Sequence, residues 1–450
     1  MSSNAGKRSR ISIFGTGYVG LCTALGFALR GYYVITSTHQ SEKVKLINKG
    51  RSPFYEPELT DALRKVVDDG FLKCVLNSEK TILETDVTFI ATGTPSKTDG
   101  SINLQYVKKS SKEIALVLRK KKSYHLVVVK STVTPGTTQD IVKPIIEDHS
   151  GKRCGKDFGL CMSPEFLREG SALRDTLNPD RVVIGQYDEN SGGILMNLYR
   201  EFYADCEVPI IRTNLATAEL IKYASNSFLA TKLSFANQIA NICERISGAD
   251  IKKVTQAIGL DKRIGPLYMN AGLGYGGSCL PKDIKALISF CKRIKYSPEL
   301  IKSVEKVNES QPYRAIEFAR NALGKLNRRR IALLGLAFKP DTDDIREAVS
   351  LKIIRRLLAE KSEVIAYDPV ASKNVKSVFK ERINYASSAL ECIKNADCCI
   401  VVTEWDEFKK LKPTDFVKSM RKPILIDGRR IYDPHEFSQE ITYFAIGLGK

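Results

Sequence analysis

The chain has 450 residues, 43% of them hydrophobic and 27% charged, and a formal net charge of +19. That length exceeds what one hydrophobic core ordinarily organises and implies two or three domains. No apolar run approaches the roughly 18 residues needed to cross a bilayer, the first ten residues are polar and basic rather than leader-like, and the eleven scattered cysteines follow neither zinc nor disulfide spacing. The expectation is a cytoplasmic protein in a reducing compartment, with no membrane partner, no metal, and cysteines that are mostly small buried hydrophobes.

The charge admits a nucleic-acid surface, attraction of an anionic small molecule, or an ordinary solvated lysine-rich surface. The basic runs Arg119-Lys120-Lys121-Lys122 and Arg328-Arg329-Arg330 are short, far apart and each set just before an apolar run, as exposed helix ends are. No nucleic-acid partner is expected; an anionic small-molecule ligand fits the charge.

In chain order, residues 10–14 read as a short strand, followed by Gly15-Thr16-Gly17-Tyr18-Val19-Gly20 and a helix to residue 30. A GxGxxG alone is weak, and a plain glycine turn is its alternative. Between a strand and a helix it reads as a dinucleotide-binding turn. Gly15 permits the tight turn, Gly17 admits a pyrophosphate, Gly20 allows close helix–sheet packing, and the helix N-terminus holds the phosphates. Residues 33–37 are the second strand. An acid is expected at its end to bind the ribose hydroxyls, yet the sequence runs Ile35-Thr36-Ser37-Thr38-His39-Gln40. Thr38 holds the position, with Lys43 a helical turn on, so NAD is the expected cofactor and NADP is admissible.

Residues 87–91, 126–129, 159–162 and 182–185 are further strands of a parallel α/β sheet. From Asn214 to Ser247 there is no Gly or Pro, and apolar residues recur at helical spacing. This predicts one uninterrupted helix about 50 Å long, able to bridge domains or build a subunit interface; Glu219, Lys222, Asn226, Lys232 and Asn237 exclude a membrane span. A second α/β unit follows, with strands at 331–335, 364–367, 398–403 and 424–427 and a helix at 347–360. The predicted fold is α/β: two Rossmann-like doubly wound domains joined by a long central helix. The predicted division is 1–210 for dinucleotide binding, 211–320 for the helical, dimerising connector and 321–450 for a second Rossmann-like domain. A ligand is expected in the cleft between the α/β domains, at the carboxyl ends of the strands.

The most informative stretch is Gly272-Leu273-Gly274-Tyr275-Gly276-Gly277-Ser278-Cys279-Leu280-Pro281-Lys282-Asp283. Its glycines let backbone press against a ligand, Lys282 would favour a thiolate at Cys279, and Asp283 could handle water. The alternative is a structural turn with an inert thiol.

This stretch resembles the catalytic segment of the UDP-glucose/GDP-mannose dehydrogenase family. So do Gly17-Tyr18-Val19-Gly20, Tyr55-Glu56-Pro57, Gly93-Thr94-Pro95, Lys130-Ser131-Thr132-Val133, Ser163-Pro164-Glu165-Phe166-Leu167-Arg168-Glu169-Gly170-Ser171-Ala172 and Phe338-Lys339-Pro340-Asp341-Thr342-Asp343-Asp344-Ile345-Arg346. The matches run in family order from about residue 11 to Asp433, and the loop from Glu165 to Ala172 resembles the UDP-glucose branch.

The resemblance implies four-electron oxidation of a UDP-sugar, UDP-glucose to UDP-glucuronate, through a cysteine thiohemiacetal and thioester. It makes Cys279 the nucleophile and Lys222 and Asn226, four apart on one helix face, the oxyanion donors. Asp283 and Thr132 would hold water, and Glu165 would be the general base, with Glu169 assisting. Taken by themselves, Lys222 and Asn226 read as solvated helix residues and Glu169 as a helix-start carboxylate. For the substrate the resemblance implies Glu165, Phe166, Leu167, Lys222, Asn226, Tyr268, Tyr275, Gly276, Lys339 and Arg429, with Arg263 reaching across from a second subunit of a homodimer. For the cofactor it implies Gly15, Gly17, Tyr18, Val19, Gly20, Thr38, Lys43, Thr94, Thr132, Lys282 and Arg346, basic groups suiting phosphates. The alternatives are a dehydrogenase of a UDP-N-acetylhexosamine or of GDP-mannose, or a two-electron hydroxyacid-type dehydrogenase, which needs no nucleophilic cysteine.

Overall fold

A computed structural model describes residues 8–76 and 78–449. The chain divides into two compact units, Met1–Ala224 and Ser225–Lys450.

The first unit is built on strands β1 (Ile11–Phe14), β2 (Val34–Ser37), β3 (Leu72–Val75), β4 (Val87–Ile90), β5 (Leu126–Val129), β6 (Gly159–Met162), β7 (Val182–Gln186) and β8 (Ile210–Asn214). Their order is β3-β2-β1-β4-β5-β6-β7-β8. The central strands β1, β2, β4, β5 and β6 are buried along their whole length, as continuous apolar runs in a sheet covered on both faces must be. The chain reverses direction once more than an all-parallel sheet allows, because β7 pairs antiparallel with β6. The connection, residues 163–181, holds only the six-residue helix Ala172–Leu177. An antiparallel neighbour starts at the sheet end where the previous strand stops. The whole connection therefore stays at the carboxyl ends of the central strands, where it carries Glu165 to Ala172.

The second unit repeats the doubly wound plan with all strands parallel. Its strands β9 (Arg330–Leu334), β10 (Glu363–Tyr367), β11 (Asn384–Tyr385), β12 (Cys398–Val401), β13 (Ile424–Asp427) and β14 (Thr442–Ala445) lie in the order β11-β10-β9-β12-β13-β14. Cys398 and Cys399 are wholly buried on β12, and burial raises both thiols, so they act as small core residues.

The long helix spans Leu215–Cys243, 29 residues rather than the 34 read from the sequence. It stops without Gly or Pro because its ladder tightens: Glu244 still bonds Ala240, but the amides of Arg245 and Ile246 turn to Ile242 and Cys243, three residues back. Among the described residues no helix is long and apolar enough to cross a membrane.

Candidate active site

In the first unit the expected residues gather at the carboxyl ends of the central strands. The helix Tyr18–Leu29 starts from Gly17 with no side-chain cap and no acid in its first turn, so its terminal N–H groups and dipole stay available to an anion. A Cβ at Gly20 would collide with the Gly15 carbonyl, whereas one at Gly17 would meet nothing within 4 Å. Gly20 is thus required for close packing, and Gly17 faces open space where a phosphate fits. Just past β4, Thr92 Oγ1 is buried without a hydrogen-bond partner. These features fit a dinucleotide.

Thr94 Oγ1 donates to the Thr132 carbonyl at 2.9 Å, joining the loops after β4 and β5. Thr38 follows β2 and its amide donates to the Val75 carbonyl. Lys43 lies in the short helix Ser41–Ile47, which follows Thr38 directly. The neighbouring His39 Nε2 is 3.3 Å from Glu113 Oε1.

Glu165 and Lys222 form a buried ion pair at 3.0 Å, and the second carboxylate oxygen of Glu165 accepts the Leu167 amide at 2.8 Å. Lys222 is therefore not a solvated helix residue. The Phe166 ring receives the Arg181 guanidinium at 3.9 Å and the Lys222 ammonium at 5.5 Å, which fixes its plane. Glu169 is buried and lies two residues before Ser171, the N-cap of the helix that starts at Ala172. Burial first, and then the charges of Glu56, Glu165, Asp175 and Glu169, push the buried Cys22 thiol well up.

In the second unit Cys279 is the N-cap residue of the helix Leu280–Arg293 and is partly exposed, with Ser278 Oγ 3.5 Å from its sulfur. One turn in, Asp283 is 1% exposed. Asp283 accepts from Asn226 Nδ2 at 2.6 Å and pairs with Lys282 Nζ at 2.5 Å. The Lys282 charge is therefore matched by Asp283, and Asn226, like Lys222, is buried rather than solvated. The preceding loop is tightly fitted: Gly277 has φ +87°, and a Cβ there would lie 2.7 Å from the Phe338 ring. Tyr275 is buried, and a Cβ at Gly276 would strike the Glu347 carbonyl.

Arg429 donates to the Val402 and Gly274 carbonyls and faces Glu404, tying the end of β13 to this loop. Lys339 lies 6.0 Å from the Phe338 ring centre. Arg346 is paired with Asp344 and half exposed. Arg263 is held by Asp261 with its side chain 88% exposed, and Tyr268 takes a left-handed backbone, φ 62°.

Sequence reasoning missed the residues that hold these loops. The Gly272 amide donates to Asn237 Oδ1, Gln311 Nε2 donates to the Gly272 carbonyl, and Asn308 makes paired bonds with the Tyr275 backbone. In the first unit Glu219 accepts the amides of Gly136 and Thr138 and the Thr138 hydroxyl, while burial pushes its carboxyl up to about 7. Buried Glu219, Asn237 and Asn308 on otherwise apolar helix faces were the available signal, since such groups need partners.

The family models for UDP-glucose/GDP-mannose dehydrogenases match the chain in three parts: the NAD binding domain over residues 9–203, the central domain over 216–310 and the UDP binding domain over 332–434. The UDP-glucose 6-dehydrogenase YwqF of Bacillus subtilis is 41% identical over 438 residues, covering 97% of both chains. The UDP-glucose 6-dehydrogenase AglM of Haloferax volcanii is 42% identical over 427 residues, 95% of this chain and 98% of that one. Among solved structures, a UDP-glucose dehydrogenase from Pyrobaculum islandicum superposes with a TM-score of 0.92 at 37% identity over 100% of each chain.

Proposed function

Because the chain belongs to the UDP-glucose/GDP-mannose dehydrogenase family, we propose that it oxidises UDP-glucose to UDP-glucuronate with a nicotinamide cofactor, as a homodimer in the cytoplasm. The observation that carries the reading is Cys279, a partly exposed thiol at a helix start with the buried Asp283 carboxylate one turn in. A two-electron dehydrogenase has no use for that thiol.

A bound nicotinamide supplies the oxidant, removing one hydride from the substrate carbon in each of two oxidations. Lys222 and Asn226 stabilise the oxyanion that develops on the substrate oxygen as its hydroxyl proton passes to water. The Cys279 thiolate adds to the aldehyde carbon, its carbonyl oxygen becoming the thiohemiacetal oxygen, and the second oxidation leaves a thioester. Thr132 and Asp283 hold a water; Glu165, assisted by Glu169, takes its proton as the water oxygen bonds to the acyl carbon, and the thiolate leaves. Phe166, Leu167, Tyr268, Tyr275, Gly276, Lys339 and Arg429 bind the nucleotide sugar, and Arg263 serves the partner subunit. Gly15, Gly17, Tyr18, Val19, Gly20, Thr38, Lys43, Thr94, Thr132, Lys282 and Arg346 bind the dinucleotide. The division 1–210, 211–320 and 321–450 then separates cofactor binding, dimerisation and UDP-sugar binding.

Support for the dimer comes from the long helix, where Phe228, Phe235 and Ile242 recur every seven residues and are 66%, 47% and 48% exposed. An apolar seam of that spacing fits a second copy of the same helix. Eleven free cysteines, most of them buried, fit a reducing compartment. The test is a panel of UDP-glucose, UDP-N-acetylglucosamine and GDP-mannose with stoichiometry. Two reduced nicotinamides per UDP-glucuronate are expected; one per turnover with free aldehyde would overturn the thioester route.

A further inference from the structure

The Tyr55-Glu56-Pro57 motif has no part in the chemistry above, yet it touches both halves of the first unit's site. Glu56 is 6% exposed. Its carboxylate oxygens each accept one backbone amide at 2.7 Å, from Gly170 and from Ala172. Charge-assisted bonds of this kind are roughly twice as strong as neutral ones, and here they close the loop that runs from Glu165 to the start of the helix Ala172–Leu177. Two residues on, Glu58 pairs with Arg174. On the other side, the Tyr18 hydroxyl donates to the Tyr55 carbonyl at 3.2 Å, and the Tyr18 and Phe54 rings pack with centroids 4.0 Å apart. Tyr18 opens the helix of the dinucleotide turn. Residues 54–58 are thus a strap from that turn to the loop carrying Glu165, Phe166 and Glu169.

We infer that Glu56 is a positioning residue: its carboxylate fixes the loop 165–172 in the form that receives the sugar nucleotide, with the strap anchoring that loop to the dinucleotide turn. The inference rests on reading Glu165, Phe166 and Leu167 as substrate-binding. Glu56→Gln keeps the side-chain size but sets an NH2 against one of the two backbone N–H groups. The expected result is a KM for UDP-glucose raised at least about fivefold, with the NAD Kd changed less than about twofold, as befits one lost charge-assisted bond. Hydrogen exchange at the Gly170 and Ala172 amides should quicken about tenfold or more, with β1, β4 and β5 unchanged. Glu58→Gln, which breaks the exposed Glu58–Arg174 pair on the same strap, should alter neither readout. Unchanged exchange at Gly170 and Ala172, an unchanged KM, or acceleration spread evenly through the sheet would each overturn the inference. If the wild-type enzyme does not oxidise UDP-glucose, the substrate assignment fails by itself, and the exchange pattern still decides the role of Glu56.

Discussion

Lys222 Nζ lies 3.0 Å from Glu165 Oε1, and the two side chains are 3% and 6% exposed. A pair this buried stabilises little over an apolar replacement, but removing one partner strands the other charge at a cost of about 3–5 kcal/mol. Lys222→Met should therefore destabilise the protein by about that amount, and the double change Lys222→Met with Glu165→Gln should recover much of it. Turnover should fall at least about a hundredfold in both variants, since each lacks the side chain proposed to stabilise the oxyanion. Denaturant unfolding and steady-state rates check this. A double variant no more stable than Lys222→Met would mean that the pair is not coupled.

Cys279→Ser separates chemistry from folding cleanly because Cys279 is an N-cap residue. Serine is a favoured N-cap, so the melting temperature should hold within about 2 °C. Turnover should drop about a thousandfold or more, because a hydroxyl is scarcely ionised at neutral pH and an ester is a poorer acyl donor than a thioester. Wild-type turnover in this variant would make the thiol structural.

The basic run at residues 119–122 looked like an exposed helix end, but Lys121 is buried. Its ammonium donates to the Ile82 and Thr85 carbonyls and lies 3.0 Å from His125 Nδ1, while His125 Nε2 is 2.7 Å from Thr88 Oγ1. Burial, then the Lys121 charge, holds the His125 pKa well below 6.5, and burial lowers Lys121 to about 8. Below pH 6.5 the unfolded chain binds a proton at His125 that the folded chain refuses, so stability falls as pH drops through that range. Between about 8 and 10.5 the unfolded chain holds the Lys121 proton that the folded chain has released, so stability rises with pH there. Wild type should lose up to about 1.4 kcal/mol per pH unit more than His125→Gln on going below pH 6.5. Parallel stability–pH curves for the two proteins would contradict this.

What could be read in advance divides along physical lines. The dinucleotide turn, the buried strands and the long helix announce themselves through local spacing: glycines at 15, 17 and 20, continuous apolar runs, and helical periodicity. The reversal at β7 does not, because β7 is a buried apolar run like the parallel strands, and the connection before it, residues 163–181, is as long as the parallel crossover from β1 to β2. Lys121 is likewise unreadable locally, since its partners Ile82 and Thr85 lie nearly forty residues away and are backbone carbonyls. Cys279 and Asp283 stand out in a glycine-rich stretch, whereas Lys222 is singled out only by the family resemblance. The roles of Asn237, Asn308, Gln311 and Glu56 were not legible, because each holds the backbone of a loop distant in sequence: Gly272 and Tyr275 for the first three, Gly170 and Ala172 for Glu56.

The exposed seam Phe228, Phe235 and Ile242 gives the test of assembly. Phe235→Glu sets a charge at the centre of the seam, where pairing with its own symmetry mate would bring like charges together. Sedimentation should show wild type as a dimer and the variant dissociating at least about a hundredfold more readily, which is about 2.7 kcal/mol. A fully active wild-type monomer would remove the seam's role and with it the reach of Arg263 into a neighbouring site.

The choice between the two nicotinamide dinucleotides turns on Thr38. An acid at this position accepts hydrogen bonds from the ribose hydroxyls and repels a 2′-phosphate. Thr38 does neither as a charge: its amide is committed to the Val75 carbonyl, and its hydroxyl oxygen lies 3.4 Å from the Gln40 amide. NAD therefore forgoes a charge-assisted bond, which contributes roughly 1.5–3 kcal/mol when well made. NADP is spared a repulsion and finds hydroxyls and Lys43 nearby, but no arginine. The adjacent His39 adds little, because its Nε2 faces Glu113 at 3.3 Å and any positive charge it gains is matched there. The expected outcome is relaxed specificity, with NAD used and NADP used better than in relatives that carry the acid. Thr38→Asp should then move the ratio of kcat/KM for NADP over NAD toward NAD by at least about tenfold, or about 1.4 kcal/mol. Glu113→Gln frees His39 without touching the ribose position, so it should move the ratio the other way. A wild-type enzyme that already refuses NADP as strictly as Thr38→Asp would show that discrimination lies outside the end of β2.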